Sequence, residues 1–321
     1  MRASPSVRRW LTDSTSDPSV SFRYWTEVDG RSPSDPRASR ARAQIGRKGW
    51  AAKILAQQFP DGHWVTPVPT EIYRPKYTAT NWMMIILADL GMTKRDRRIA
   101  RLAELVLDRW SRRAGRDGYP LSGFDGETCA TGNAVRSLIR FGYLDHPVVQ
   151  QSIDWLLRAQ KADGGWHCFR ARRGTLDAWE GLDALAEIPE SERDARVQSA
   201  VARGAEFFLH RRLIVEGPTS YPPWYRIHYP NHYYYDLLVG LRMLTRLGHA
   251  KDRRLGAAYR WLIRKRGRDG RWSIDAVHPD LDPEHGSYQM EGPTYSTWLE
   301  RAGYPSRWAT VEALSVLARR E

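Results

Sequence analysis

The chain has 321 residues, of which 41% are hydrophobic and 27% charged, with a formal net charge of +13. Its 14 Trp, 15 Tyr and 7 Phe exclude a disordered tail, which lacks the apolar groups needed to offset chain entropy, and two cysteines exclude a disulfide framework. The best apolar run, Trp82 to Leu87, is about a third of the roughly 20 residues of a membrane span, and no apolar signal segment follows the basic N-terminus, so a cytoplasmic location is expected.

The basic excess is almost all arginine, with 43 Arg against 7 Lys. Arg112-Arg113, Arg211-Arg212 and Arg264-Lys265-Arg266 fall at predicted helix C-termini, where cations complement the helix dipole. No zinc finger, RNP or helix-turn-helix signature accompanies the charge, so no nucleic-acid partner is expected.

In chain order, residues 1–18 read as a Ser- and Arg-rich arm packed through Trp10 and Leu11. Residues 19–321 are expected to form one domain. Ser19–Val28 and Asp35–Gln57 make a first helical pair. Strongly apolar helices follow at Tyr77–Met92, Glu127–Tyr143, Thr175–Ile188, His232–Gly248 and Arg307–Arg320. Amphipathic helices alternate with them at Arg95–Arg113, Pro147–Gln160, Ala195–Arg212 and Asp252–Arg266. Gly91, Gly142, Pro189 and Gly248 mark helix stops. Residues 273–305 interrupt the pattern with a long Pro-, Gly- and His-rich segment that reads as a lid, with Tyr288, Met290, Tyr295 and Trp298 available to close a pocket.

A short phrase recurs between the helices. Gln58-Phe59-Pro60-Asp61-Gly62-His63-Trp64 is echoed at Gln160 to Trp166 and at Arg266 to Trp272, with weaker copies at Asp117-Gly118-Tyr119 and Glu216-Gly217. A period of about fifty residues indicates a repeat architecture. Helices buried all round alternate with helices buried on one face. That alternation predicts an all-α (α/α)6 toroid, an inner ring wrapped by an outer ring.

The Q-x-x-D-G-x-W phrases resemble the repeats of the terpenoid cyclase and protein prenyltransferase superfamily, over about residues 40 to 320. The stretch from Thr131 to Phe169 is similar to bacterial prenyltransferase or squalene-oxidase repeat proteins. The resemblance implies that Gln160, Asp163 and Trp166 tie one hairpin to the next. It also implies a pocket at the N-terminal ends of the inner helices and an apolar, isoprenoid-type substrate.

Squalene-hopene cyclases and related class II cyclases carry a D-x-D-D motif whose middle aspartate protonates an alkene. The nearest match is Thr175-Leu176-Asp177-Ala178, so Asp177 is the candidate acid and Glu180, one turn on, its partner. Thr175 and Ala178 replace the supporting aspartates. Trp82, Asn133, Trp179, His232, Tyr234 and Trp308 are candidates for the substrate cavity, the aromatic rings stabilising positive charge.

No cofactor is expected. In a prenyltransferase-like alternative, Glu127, Cys129 and His232 would hold zinc. In a third reading Arg226, His228, Asn231, His232 and Tyr234 serve an acidic-polysaccharide lyase. A non-catalytic toroid that binds an apolar ligand or a protein is the remaining alternative.

Overall fold

The computed structural model describes residues 3–64, 72–73, 75–114, 127–168, 171–213, 221–276 and 299–321; for residues 109–114 it describes the backbone alone. The fold is all-α. Among the described residues there are thirteen α-helices and no β-strand, only isolated bridges. No described helix is long and apolar enough to cross a membrane. The weaker copies at 117–119 and 216–217, and the aromatic residues of the expected lid, lie outside the described residues.

The chain divides into two compact units, residues 57–211 and residues 1–56 with 212–321. In the first, the middle unit, lie α5 (Thr80–Asp89), α6 (Arg97–Ala114), α7 (Thr128–Phe141), α8 (Pro147–Ala159), α9 (Glu180–Ala186) and α10 (Ala195–His210). Here α7 packs between α5 and α9, with α8 and α10 against α7 and α9. The terminal unit holds α1 (Pro5–Thr12), α2 (Pro18–Arg23), α3 (Pro36–Gln44), α4 (Gly49–Leu55), α11 (Leu237–Arg246), α12 (Gly256–Arg264) and α13 (Arg307–Arg320). In it α13 packs on α11 and α2, and α2 on α3.

The two helix types differ in burial as their composition requires. Every residue of α5 from Thr80 to Ala88 is buried. By contrast α8 buries only Val149, Ser152, Ile153 and Leu156, the i, i+3, i+4, i+7 stripe of a helix with one wet face. The stops at Gly91, Gly142 and Gly248 have left-handed φ values of 83°, 96° and 88°, the conformation that ends a helix and that glycine adopts at least cost.

Two predicted helices are shorter than their apolar pattern. Asp35–Gln57 is broken into α3 and α4, because Gly49 is left-handed at φ 75° and a Cβ there would meet Asp17 Oδ2 at 2.2 Å. That carboxylate accepts the Trp50 N–H at 2.7 Å. The apolar segment from His232 becomes helical only at Leu237, where Asp236 caps α11 by accepting the Val239 N–H at 2.9 Å. The predicted arm contains α1, with Val7 and Leu11 buried and the Trp10 ring under the Arg271 and Arg307 guanidinium groups.

The recurrent phrase is a joint between hairpins. Gln160 Nε2 donates to the carbonyl of Gly164 at 2.8 Å and to that of Ala200 in α10 at 2.9 Å. Gln58 does the same to Gly62 and to Arg98 in α6, at 3.1 and 3.0 Å. Asp163 accepts the Gly165 and Gly174 N–H groups. The Trp166 and Trp272 indoles donate to Leu156 and Leu262 at 2.8 and 2.7 Å, and Trp64, Trp166 and Trp272 are fully buried.

Each motif tryptophan also meets a threonine near the next inner helix through its backbone. Trp64 N–H donates to Thr80 Oγ1 at 3.2 Å, and Trp272 N–H to Thr310 Oγ1 at 2.9 Å. Thr175 N–H donates to the Trp166 carbonyl at 2.8 Å.

Candidate functional site

The polar starts of the inner helices are where an apolar core meets groups able to do chemistry. In the middle unit, Thr175 begins a 3-10 turn at Leu176–Ala178, its Oγ1 accepting the Asp177 N–H at 3.3 Å. The turn leaves Asp177 exposed and delivers Glu180 to the interior at the first position of α9. Room for Glu180 comes from α7: a Cβ on Gly132 would lie 2.5 Å from the Glu180 carbonyl oxygen and 2.7 Å from its Cβ. A glycine is therefore required there.

Glu180 is 0% exposed, and neither carboxylate oxygen has a hydrogen-bond partner elsewhere in the described chain. A carboxylate without water or donors is strongly disfavoured. Burial, reinforced by the Cys168 sulfur, pushes the Glu180 carboxyl well above the ordinary range, and the attraction of Arg136 does not undo this. Burial thus favours the protonated form of Glu180.

One turn later on the same helix the outcome reverses. Asp183, also 0% exposed, accepts from Arg136 Nη1 at 3.1 Å. Arg136 Nη2 donates to Asn133 Oδ1 at 2.8 Å, and its guanidinium lies 5.0 Å from the Trp179 ring centroid. Arg140 extends the network to Asp89 and to Glu187, the latter at 2.6 Å. Asn133 and Trp179, expected in a substrate cavity, instead support this buried cation.

The other expected cavity residues are also engaged. Trp82 is buried, donates to the Tyr73 carbonyl at 2.8 Å and packs 4.8 Å from the Tyr77 ring. In the terminal unit Trp308 stacks on Tyr229 at 4.4 Å, with the Arg23 guanidinium 4.8 Å from its ring. His232 is fully buried. Tyr234 is half-buried, its hydroxyl 2.7 Å from that of Tyr221. The rings are core packing, with faces already in contact with cations or other rings.

Beside Glu180 lie Glu127, Cys129 and Cys168. Glu127 is half-buried, and burial raises its carboxyl above the ordinary range. The Cys129 thiol is 3.9 Å from Glu127 Oε2. The neighbouring Cys168, together with burial, holds it well above the ordinary thiol range. Among the described residues no group of three or more His, Cys, Asp or Glu is arranged to hold a metal ion; Glu127 and Cys129 belong to the middle unit and His232 to the terminal one.

The lyase candidates do not form an open cationic cleft. His228 and Asn231 are buried, and both face Asp236: its Oδ2 accepts the His228 backbone N–H at 2.9 Å and Asn231 Nδ2 at 3.3 Å. A small cavity between α11 and α13 is lined by His228, Asp236, Arg242 and Glu312. A larger surface groove of about 560 Å³ runs along α3, but its walls carry Arg37, Arg40 and Lys48 and do not suit an apolar molecule.

Asp236 and Arg136 were not singled out by the sequence. Arg136 had a signal, as a cation in the middle of an otherwise apolar and small-residue stretch, four residues before Arg140. Glu180 had one too, because Trp179, Gly181 and Leu182 place it in an apolar frame.

No family model matches the chain, and no curated protein matches it. Among solved structures, a protein from Actinoplanes is 17% identical over 95% of this chain and 88% of its own, with a TM-score of 0.42. Type II terpene cyclase MstE from Scytonema, without ligand, is 14% identical over 85% of this chain and 96% of its own, with a TM-score of 0.34. A variant of that cyclase in complex with geranylgeranyl dihydroxybenzoate, its substrate, is 14% identical over 84% and 95%, with a TM-score of 0.33. At these TM-scores the likenesses are distant.

Proposed function

We propose that this protein protonates an apolar, isoprenoid-type substrate through Glu180 and so starts a cyclisation or isomerisation. The observation that carries the reading is the fully buried Glu180 carboxyl, which has no side-chain hydrogen-bond partner among the described residues. An alkene is protonated only by a group that keeps its proton in a dry setting and releases it toward carbon, and Glu180 meets the first condition. Arg136, whose charge attracts the Glu180 carboxylate, would stabilise the anion left after transfer. The chemistry needs only the side chain and the substrate.

Asp177 was the acid expected from the motif position. Its side chain is exposed, so it does not offer the dry setting that proton transfer to carbon requires. The substrate class rests on the resemblance of the repeats to the cyclase superfamily. Trp82 and Trp179 act in this reading by shaping apolar walls, since Arg136 already lies over the Trp179 ring.

The test is a panel of polyprenyl substrates incubated with purified protein, with products read by mass spectrometry. Glu180→Gln keeps the size of the side chain and removes the proton; it should abolish product while leaving ligand affinity within a few-fold. Asp177→Asn should turn over at near the wild-type rate. Product from Glu180→Gln at that rate would remove Glu180 from the mechanism. An apolar-ligand scaffold gives bound ligand and no product in every form.

A further inference from the structure

The chain has two cysteines, and the fold brings them together. Cys129 is the second residue of α7, and Cys168 lies two residues beyond the motif tryptophan Trp166. Thr128 Oγ1 donates to the His167 carbonyl at 3.2 Å. Each cysteine is thus the chain neighbour of one end of a direct bond between the two segments. The Cys129 and Cys168 thiols lie near enough for Cys168 to disfavour the Cys129 thiolate. Both are unbridged and half-buried, so a small oxidant can reach the pair. A buried cysteine that merely fills space has no need of a second one beside it.

We infer that Cys129 and Cys168 are a site of reversible disulfide formation, joining the first turn of α7 to the segment after Trp166. With a low-molecular-weight disulfide as oxidant, the Cys168 thiolate attacks one of its sulfurs and expels a thiol, leaving a mixed disulfide on Cys168. Cys129 then loses its proton, attacks the Cys168 sulfur and expels the second thiol. One S–S bond is broken and one formed, and the two cysteine protons leave on the two expelled thiols. The neighbouring Cys168 and burial disfavour the Cys129 thiolate, so Cys129 is assigned as the resolving partner. Glu180 lies close enough to sense Cys168, so the bridge would form beside it. The inference does not depend on Glu180 acting as an acid.

Full-length native protein is incubated with glutathione disulfide, remaining thiols are capped with iodoacetamide, and the chain is mapped as non-reduced peptides. The expected result is one linked pair containing Cys129 and Cys168, both thiols lost together, and a raised Tm that returns to its starting value with dithiothreitol. Cys129→Ser should trap the first step as a stable glutathione adduct on Cys168. Cys168→Ser should leave Cys129 largely unmodified. If either variant fails to fold, the wild-type peptide map still decides. Two thiols that both cap after oxidation, separate adducts that never resolve to a link, or chain-to-chain bridges would each overturn the inference.

Discussion

Glu27 in the terminal unit and Glu180 in the middle unit meet opposite settings. In the terminal unit Glu27 accepts from Arg23 Nε at 2.8 Å, from Ser315 Oγ at 2.7 Å and from Arg319 at 3.0 Å, while Glu312 accepts from Arg23 Nη1 at 2.6 Å. Burial acting alone would raise Glu27, but Arg23, Arg319 and Ser315 outweigh it and hold the carboxyl far below the ordinary range. In the middle unit Glu180 has no such donors and burial prevails. The balance between desolvation and donors, not burial itself, separates an ion-pair glutamate from a protonated one.

The largest test of this contrast is Arg136→Ala. It removes the cation beside the buried Asp183, while Asp89 keeps Arg140, and should destabilise the protein by about 3–5 kcal/mol, the range for breaking a buried pair; denaturant unfolding measures it. Arg23→Ala should cost less, because Arg319 remains beside Glu27, which is partly exposed. Next in size, Glu180→Met should raise stability by about 1–3 kcal/mol, by removing a buried polar group that has no partner, and should abolish turnover. A loss of stability from Glu180→Met would mean that the carboxyl is satisfied after all.

A pH series sharpens the same contrast through opposite slopes. Glu180 binds its proton more tightly when folded, so its contribution is full below the ordinary value of 4.5 and declines as pH rises above it. Glu300, raised by burial to about 7, adds a decline of the same sign between 4.5 and 7. Glu27 works the other way: its contribution is present above 4.5 and is lost as pH falls below that value. Unfolding midpoints from pH 2 to 9 should flatten above 4.5 in Glu180→Gln and Glu300→Gln, and below 4.5 in Glu27→Gln.

Smaller effects follow at the helix starts. Ser306 caps α13 by accepting the Ala309 N–H at 2.8 Å, so Ser306→Ala should lose about 1 kcal/mol in thermal melts. Asp177→Asn lies on the surface and should change stability by less than about 0.5 kcal/mol. A larger loss would show that Asp177 does more than occupy an exposed turn.

Most of the helical content was legible in the sequence, because it rests on local signals. The difference between α5 and α8 is written in their apolar spacing, and the glycine stops fall where the left-handed turns occur. Asp177 and Glu180, both singled out at the motif position, end in opposite settings. Thr175 starts a 3-10 turn instead of continuing as α-helix, and that change of pitch sends Asp177 outward and Glu180 inward. The surroundings of the aromatic candidates were hidden for a related reason. Composition marks Trp179 and Trp308 as large apolar groups but cannot say what covers their faces, and the covering groups, Arg136 and Arg23, come from distant parts of the chain. The break between α3 and α4 depends likewise on Asp17, which is remote in sequence.

The tryptophan–threonine contacts carry a consequence for how this chain can change over evolutionary time. The same kind of link spans 16 residues from Trp64 to Thr80, 38 from Trp272 to Thr310 and 9 from Trp166 to Thr175. The scaffold therefore fixes where each intervening segment leaves and returns while leaving its length open. Since closing a longer loop costs only slightly more entropy, insertions between clasp points are cheap and leave the helices in place. Those segments are where new specificities can be grafted onto a conserved frame, and where a designer should cut.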